Sequence, residues 1–285
     1  MVVLRIQGGL GNQMFQYATA LQLSKKLGVE LFLDTSLLSD AHEGKHTQRR
    51  LELDVFAVEI KFASGKLIGS FNQTLFRKIF PLFQNSIIIS ERNWSSMNLI
   101  EGRKNVLLQG YFQSEKYFKN GATDISEVFK FKNIDEKNIK LHHKIKLQNC
   151  VGLHIRRGDY VTNSAANAFH GVLSLDYYQK AVKYLIERES PEIAYIFSDD
   201  PDWCRKNVNI GLPTEIIDHN QGADSYIDMM LMSACKNLII ANSSFSWWSA
   251  YLGKKEKKTI IAPVKWFAAS GHSDEELIPS HWIRL

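Results

Sequence analysis

From residue 150 onward the chain alternates short apolar runs with stretches of helical character: VGLHI, SLDYYQKAVKYLIERES, IAYIFS, DPDWCRKNV, TEIID, DSYIDMMLMSAC, NLIIAN, SFSWWSAYLG and TIIAP. Strands separated by whole helices cannot pair as tight hairpins, so they line up in parallel with helices covering both faces of the sheet. This half reads as a doubly wound nucleotide-binding domain. The N-terminus opens the same way, with VVLRIQG as a strand, a Gly-rich turn, MFQYATALQLSKKLG as a helix stopped at Gly28, and VELFLD as a strand. VLLQGYFQ, 106 to 113, reads as a further strand, whereas residues 40 to 105 mix charged loops with short apolar runs. The polar, helical DEKNIKLHHKIKLQN separates the halves, giving an N-terminal domain over 1–140 and a C-terminal domain over 141–285.

A length of 285 residues with 45% hydrophobic residues suffices for two such cores. No apolar run reaches the length of a membrane span, and MVVLRIQGGLG lacks a signal-peptide layout, so a cytoplasmic chain is expected. Cys150, Cys204 and Cys235 are too few and too scattered for a disulfide framework and read as reduced and buried. The net charge of +5 is dispersed except in KKEKK at 254 to 258, which reads as a solvated face, with an anionic membrane surface or a phosphorylated substrate as alternatives. No basic stripe with interleaved aromatics points to nucleic acid. His42 with His46, and His142 with His143, lack further ligands for zinc and read as surface histidines.

Ligands of open parallel sheets gather beyond the carboxyl ends of the strands, so the residues just past each apolar run are the candidates. In GGLGNQ, 8 to 13, Gly8, Gly9 and Gly11 let the backbone approach a ligand, and the helix start offers N–H groups to a phosphate. The spacing matches neither dinucleotide nor P-loop fingerprints, so a plain turn stays equally open, with the amides of Asn12 and Gln13 favouring a binding loop. In VGLHIRRGDY, 151 to 160, strand alternation puts His154 and Arg156 on one side and Arg157 on the other. A guanidinium suits a diphosphate, and the second arginine is free to pair with Asp159 or another carboxylate; a mere surface cluster of charges is the alternative. Asp199 and Asp200 in FSDDPDW either cap the next helix or hold magnesium. In ANSSFSWWSAYLG, Asn242, Ser243 and Ser244 are N-cap types opening a helix that ends at Gly253, while Trp247 and Trp248 read as core or interface packing.

Taken together and in order, GGLGNQMFQYA, HIRRGDY, SDD and NSSFSWWSAYL resemble the α-1,2-fucosyltransferase family that uses GDP-fucose. The resemblance implies an α/β, GT-B-like fold of two Rossmann-type domains with the active site in the cleft, and inverting, metal-independent transfer of L-fucose without a cofactor. The acceptor it implies is the 2-hydroxyl of a galactose in an oligosaccharide or polysaccharide; another GDP-sugar or another linkage is the alternative. HIRRGD is similar to the arginine motif of the α-1,6- and protein O-fucosyltransferases, which places Arg156 on the GDP diphosphate with His154 beside it. The same similarity puts Asp228, in SYIDMMLMS, on the guanine edge, and Asn242, Ser243, Ser244 and Phe245 where the phosphate-binding helix begins. Gly11 and Asn12 fall where the N-terminal loop nears the sugar-phosphate, and Asp199 belongs to the same donor site. The α-1,6 enzymes carry a glutamate about ten residues past the histidine as base, where this chain reads TNSAAN. No base is carried over; Asp159 is the nearest carboxylate, as catalyst or as a brace paired with Arg157. Residues 36 to 105 are expected to hold part of the acceptor pocket, with Tyr111 and Gln113 as further acceptor-side candidates. Such a chain is compatible with peripheral attachment to the inner face of a membrane.

Overall fold

The structure is a computed structural model that describes residues 1–39, 49–72, 86–91, 94, 105–121, 123–253 and 258–285. The chain divides into two compact units, Met1–Lys130 and Phe131–Leu285.

In the first unit, four parallel strands run in the order β2-β1-β4-β3: β1 Val2–Arg5, β2 Leu31–Asp34, β3 Ser86–Ile89 and β4 Asn105–Gln109. Val2, Val3 and Leu4 of β1 and Val106, Leu107 and Leu108 of β4 are fully buried, the unbroken apolar run expected of a strand covered on both faces. The helix Leu10–Leu27 follows β1 and stops where expected, because Gly28 takes the left-handed conformation (φ 63°) and its N–H bonds back to the last turn. β3 is not evident in the sequence: four residues at the sheet edge, with Ile88 facing solvent, carry too short a pattern to read.

The second unit holds six parallel strands in the order β10-β9-β8-β5-β6-β7. They are β5 Cys150–Ile155, β6 Ile193–Ser198, β7 Thr214–Ile217, β8 Asn237–Ile239, β9 Thr259–Ala262 and β10 Ile283–Arg284. The chain runs outward from β5 to β7, then returns to β8 on the other side of β5 and runs outward again. The order therefore reverses between β5 and β8, where a crevice opens at the carboxyl ends of a doubly wound sheet. The helices expected from the sequence are Leu175–Glu189, Pro201–Asn207, Tyr226–Ala234 and Ser244–Leu252. Two short ones, Gly158–Thr162 and Ser164–His170, are additional.

The sequence boundary at 140/141 is corrected, since it cuts the helix Glu136–Leu147, which belongs to the second unit. That helix is tied there by Asn138 Nδ2 donating to Asn220 Oδ1 at 3.0 Å, and its lead-in by Tyr226 Oη donating to the carbonyls of Lys132 and Asn133. The polarity that marks the stretch as a boundary in sequence is what makes these bonds. Trp247 and Trp248 are fully buried, Trp247 Nε1 donating to the Leu277 carbonyl, and all three cysteines are buried and free. Among the described residues no helix is long and apolar enough to cross a membrane.

Candidate active site

β5 is buried along its whole length and packs so closely on β8 that a Cβ at Gly152 would stand 2.8 Å from Leu238 Cδ2 and 2.9 Å from Cys235 Sγ. This tight pairing delivers Arg156 and Arg157 to the switch point as soon as the strand ends. Arg156 is held from two sides: Nη2 meets Asp159 Oδ1 at 2.6 Å and Nη1 meets Asp199 Oδ2 at 2.9 Å, with 27% of the side chain exposed. Arg157 Nε donates to Asp200 Oδ2 at 3.1 Å, and its guanidinium lies 3.8 Å from the centre of the Trp203 ring.

The two arginines thus differ as strand alternation implies, but the pairing of Asp159 with Arg157 is corrected. The helix Gly158–Thr162 begins immediately and swings residue 159 back over Arg156, three positions earlier. Gly158 permits this turn, since a Cβ there would stand 2.3 Å from Asp199 Oδ2. Asp199 also accepts from the Arg157 backbone N–H at 2.8 Å, so both its oxygens serve the arginine loop. Asp200 is the cap, accepting from Trp203 N–H at 3.1 Å ahead of Pro201 in the first turn.

These two arginines and three aspartates carry one more negative than positive charge. An anion bound here draws on the guanidinium N–H groups left over from those pairs and on the helix that follows β8. In that helix Ser243 is the N-cap, its Oγ accepting from Phe245 N–H, and the first helical bond runs from Trp247 N–H to the Ser243 carbonyl at 3.0 Å. The N–H groups of Ser244 and Ser246 precede that bond at the positive end of the dipole. Ser244 and Phe245 are half-buried.

Asn242, expected among the residues where the phosphate-binding helix begins, turns its side chain into the protein. Its side chain is buried, and Nδ2 reaches the carbonyls of His170 (2.8 Å), Gly171 (3.3 Å) and Trp266 (3.2 Å), while its own carbonyl accepts from Tyr160 Oη. It braces the loop beside the helix start. His170, which belongs to no sequence motif, is pinned by this bond and stacks on Tyr160 with ring centroids 4.7 Å apart. His154 is 5% exposed, lies 5.8 Å from the Phe245 ring, and its Nδ1 has no partner among the described residues. Burial first, and the neighbouring Arg156 second, push its pKa down to about 3, so it is neutral at physiological pH.

Asp228 sits in the first turn of Tyr226–Ala234, its Oδ1 accepting from Asn220 Nδ2 at 2.8 Å. Burial pushes the carboxyl up to about 7, against the lowering effect of the Asn220 bond.

The first unit assembles a second cluster at its own switch point, between β1 and β4. Asn12 Oδ1 accepts from Gln113 Nε2 at 2.7 Å, joining two residues that the sequence assigns to different subsites. Gly8 has φ 78°, and a Cβ there would stand 2.7 Å from Asn12 Nδ2. Gly11 is buried, and Tyr111 is 42% exposed with its backbone N–H on Glu91. The expectation that this helix start receives a phosphate meets an anion already there: Leu10 N–H donates to Glu52 Oε2 at 2.8 Å, while Glu52 N–H donates to Gln13 Oε1. Glu52 is remote in sequence and carries no local motif. His42, His46 and residues 254–257 of KKEKK lie outside the described residues, as do 40–48, 73–85, 92–93 and 95–104 of the acceptor region.

The model of glycosyl transferase family 11 matches residues 85–285. The chain belongs to glycosyl transferase family 11. Two Escherichia coli relatives match along nearly all of it. The O-antigen biosynthesis glycosyltransferase WbnK is 37% identical over 98% of this chain and 99% of its own length. An alpha-1,2-colitosyltransferase is 33% identical over 100% of this chain and 98% of its own. A galactoside 2-alpha-L-fucosyltransferase of Caenorhabditis elegans is 25% identical over 100% of this chain and 79% of its own. Among solved structures, the NodZ alpha-1,6-fucosyltransferase soaked with GDP-fucose is similar at TM-score 0.52 and 16% identity, covering 88% of this chain and 92% of that one. That likeness is one of fold, an α/β architecture of parallel sheets. The four sequence motifs point to the same family, and the family 11 membership makes this chain a glycosyltransferase.

Proposed function

We propose that this family 11 glycosyltransferase moves L-fucose from GDP-fucose to the 2-hydroxyl of a galactose, with inversion, forming an α-1,2 linkage in a surface polysaccharide or related glycan. Arg156, braced by Asp159 and Asp199 at the β5/β8 switch point beside the start of helix Ser244–Leu252, is the observation that carries the reading. The second unit binds the donor, with Asp228 on the guanine edge; the first offers Asn12, Tyr111 and Gln113 to the acceptor.

The acceptor oxygen attacks the anomeric carbon on the face opposite GDP. The new C–O bond forms as the bond from the anomeric carbon to the β-phosphate oxygen breaks, the electron pair leaves with GDP, and the hydroxyl proton passes to solvent water. Charge grows on the leaving diphosphate, where Arg156 and the helix N–H groups at Ser244 and Ser246 stabilise it. Asp159 serves as a brace in this mechanism, because Arg156 occupies its Oδ1. Asp199 and Asp200 are engaged by the two arginines, which leaves leaving-group stabilisation to N–H donors and supports transfer without a metal. The names of the relatives favour an α-1,2 product and keep colitose open as an alternative donor sugar.

GDP release from GDP-fucose, measured with and without lactose or N-acetyllactosamine, tests the activity, and NMR of the product tests the linkage. Acceptor-dependent release with an α-1,2 product is expected. Absence of GDP binding, or a different linkage, overturns the corresponding part.

A further inference from the structure

Asp228 is the far end of a buried chain of side-chain amides. The N-cap Asp135 accepts from Asn138 N–H at 3.0 Å and from Asn138 Nδ2 at 2.6 Å, fixing the Asn138 side chain against its own helix start. Asn138 Nδ2 also donates to Asn220 Oδ1 at 3.0 Å, and Asn220 Nδ2 donates back to Asn138 Oδ1 at 3.2 Å. The second Asn220 N–H goes to Asp228 Oδ1 at 2.8 Å. Asn138 and Asn220 are 1% and 4% exposed. This reciprocal pair cannot turn over without losing its bonds, so Asn220 always presents a donor, never an acceptor, to Asp228.

We infer that Asn220, anchored by Asn138, is a positioning residue that holds Asp228 as an ionised, correctly turned acceptor for the guanine base of the donor nucleotide. The inference rests on the proposed guanine-reading role of Asp228. Guanine offers N1–H and a 2-amino group, two donors that match a carboxylate and clash with a protonated carboxyl, which would turn an O–H toward them. Burial favours that unwanted neutral form and the Asn220 bond opposes it. A buried acid used for base recognition needs such a donor, and the amide chain supplies one that carries no charge of its own.

The other ionisable groups on the surrounding segments are Asp135, Glu136, Lys137, Lys140, His142, His143, Lys144 and Lys146 on and before the helix Glu136–Leu147, then Glu215, Asp218, His219 and Asp224, and Tyr226 on the helix of Asp228. Tyr251 is the only ionisable residue of the helix Ser244–Leu252. Asp135 is held below its ordinary range by its Asn138 bonds. His219 Nε2 lies 3.1 Å from Asn138 Oδ1, which makes it the protonated nitrogen, and burial first holds His219 below its ordinary pKa. Between pH 7 and 9 neither titrates, whereas the Cys150 thiol, lowered to about 7, and the nucleotide itself do, so the part of the pH dependence that disappears in Asp228→Asn is the part that reports Asp228.

The test is calorimetric titration of GDP and inosine diphosphate into the full chain from pH 6 to 9, for wild type, Asn220→Ala, Asn138→Ala and Asp228→Asn. Wild type is expected to bind GDP more weakly below neutral pH. Asn220→Ala moves that midpoint up by about one pH unit, so GDP binding falls about fivefold at pH 7, approaches a loss of about tenfold at pH 6, and recovers near pH 9. Its preference for GDP over inosine diphosphate, which lacks the 2-amino group, shrinks as well. Asn138→Ala, which leaves Asn220 present but unanchored, shifts the midpoint the same way and decides the matter where Asn220→Ala does not fold. A loss equal at every pH, with the GDP preference intact, marks a merely structural role and overturns the inference. Wild-type GDP affinity in Asp228→Asn overturns the underlying guanine reading instead.

Discussion

Asp228 is expected to cost the free protein stability, and replacing it with asparagine makes the cost measurable. Burial lifts its carboxyl from 3.8 to about 7, so the folded state holds a proton that the unfolded chain releases over the interval between those values. Because the folded pKa is the higher, this group's contribution is complete at low pH and is lost as pH rises toward 7. Some three pKa units correspond to a penalty of about 4 kcal/mol at pH 8, falling to roughly half a kcal/mol at pH 4. An asparagine side chain at this position keeps an oxygen to accept from Asn220 and removes the charge, so Asp228→Asn stabilises by up to this amount at pH 8. For a domain of this size, that is a rise in Tm of about 10 °C. Thermal and urea unfolding of both proteins at pH 4, 6 and 8 provide the assay, with GDP binding followed in parallel. The stability gap should widen from pH 4 to 8 while GDP affinity drops, a trade of stability for recognition. A gap that is flat with pH, or a less stable variant at pH 8, refutes the reasoning.

Arg156→Ala is expected to lower turnover by about a hundredfold or more with the fold retained, in steady-state assays of transfer from GDP-fucose; near-parental turnover removes Arg156 from the mechanism. Arg156→Lys is not expected to restore it, since a single ammonium cannot span Asp159 and Asp199 in the same geometry. Gly152→Ala forces a methyl against Leu238 and Cys235 and should destabilise by about 1–3 kcal/mol in urea titrations; an unchanged midpoint shows that the β5/β8 pairing yields. Glu52→Ala leaves Leu10 N–H without its carboxylate and should cost about 1 kcal/mol, whereas Glu52→Gln keeps most of it; equal melting of the two variants contradicts the capping role.

Most of the second unit is legible in sequence because each of its strands and helices is a local pattern. VGLHI, IAYIFS and NLIIAN carry apolar runs bounded by polar turns, and Gly253 marks a helix end, as Gly28 does in the first unit. Elements that lack such a pattern are invisible: β3 is four residues at an edge, and the helix Gly158–Thr162 is held by the Arg156 and Asp199 geometry. The misreading of Asp159 has the same origin. Strand alternation correctly separates Arg156 from Arg157, but it ends at Ile155, and the place of Asp159 depends on a helical turn that the strand pattern cannot announce.

The sequence by itself determines the order of the longer elements, the parallel doubly wound class of the second unit, the family, and which residues stand just past a strand's end, because all of these depend on neighbours close along the chain. Partnership is decided by the tertiary structure. Asn242 binds carbonyls from two remote segments, Glu52 caps a helix some forty residues before it, and Asn138 reaches across 82 positions to Asn220. Asparagine and glutamate side chains bond whatever polar group the fold brings within about 3 Å, and no local pattern records which group that will be.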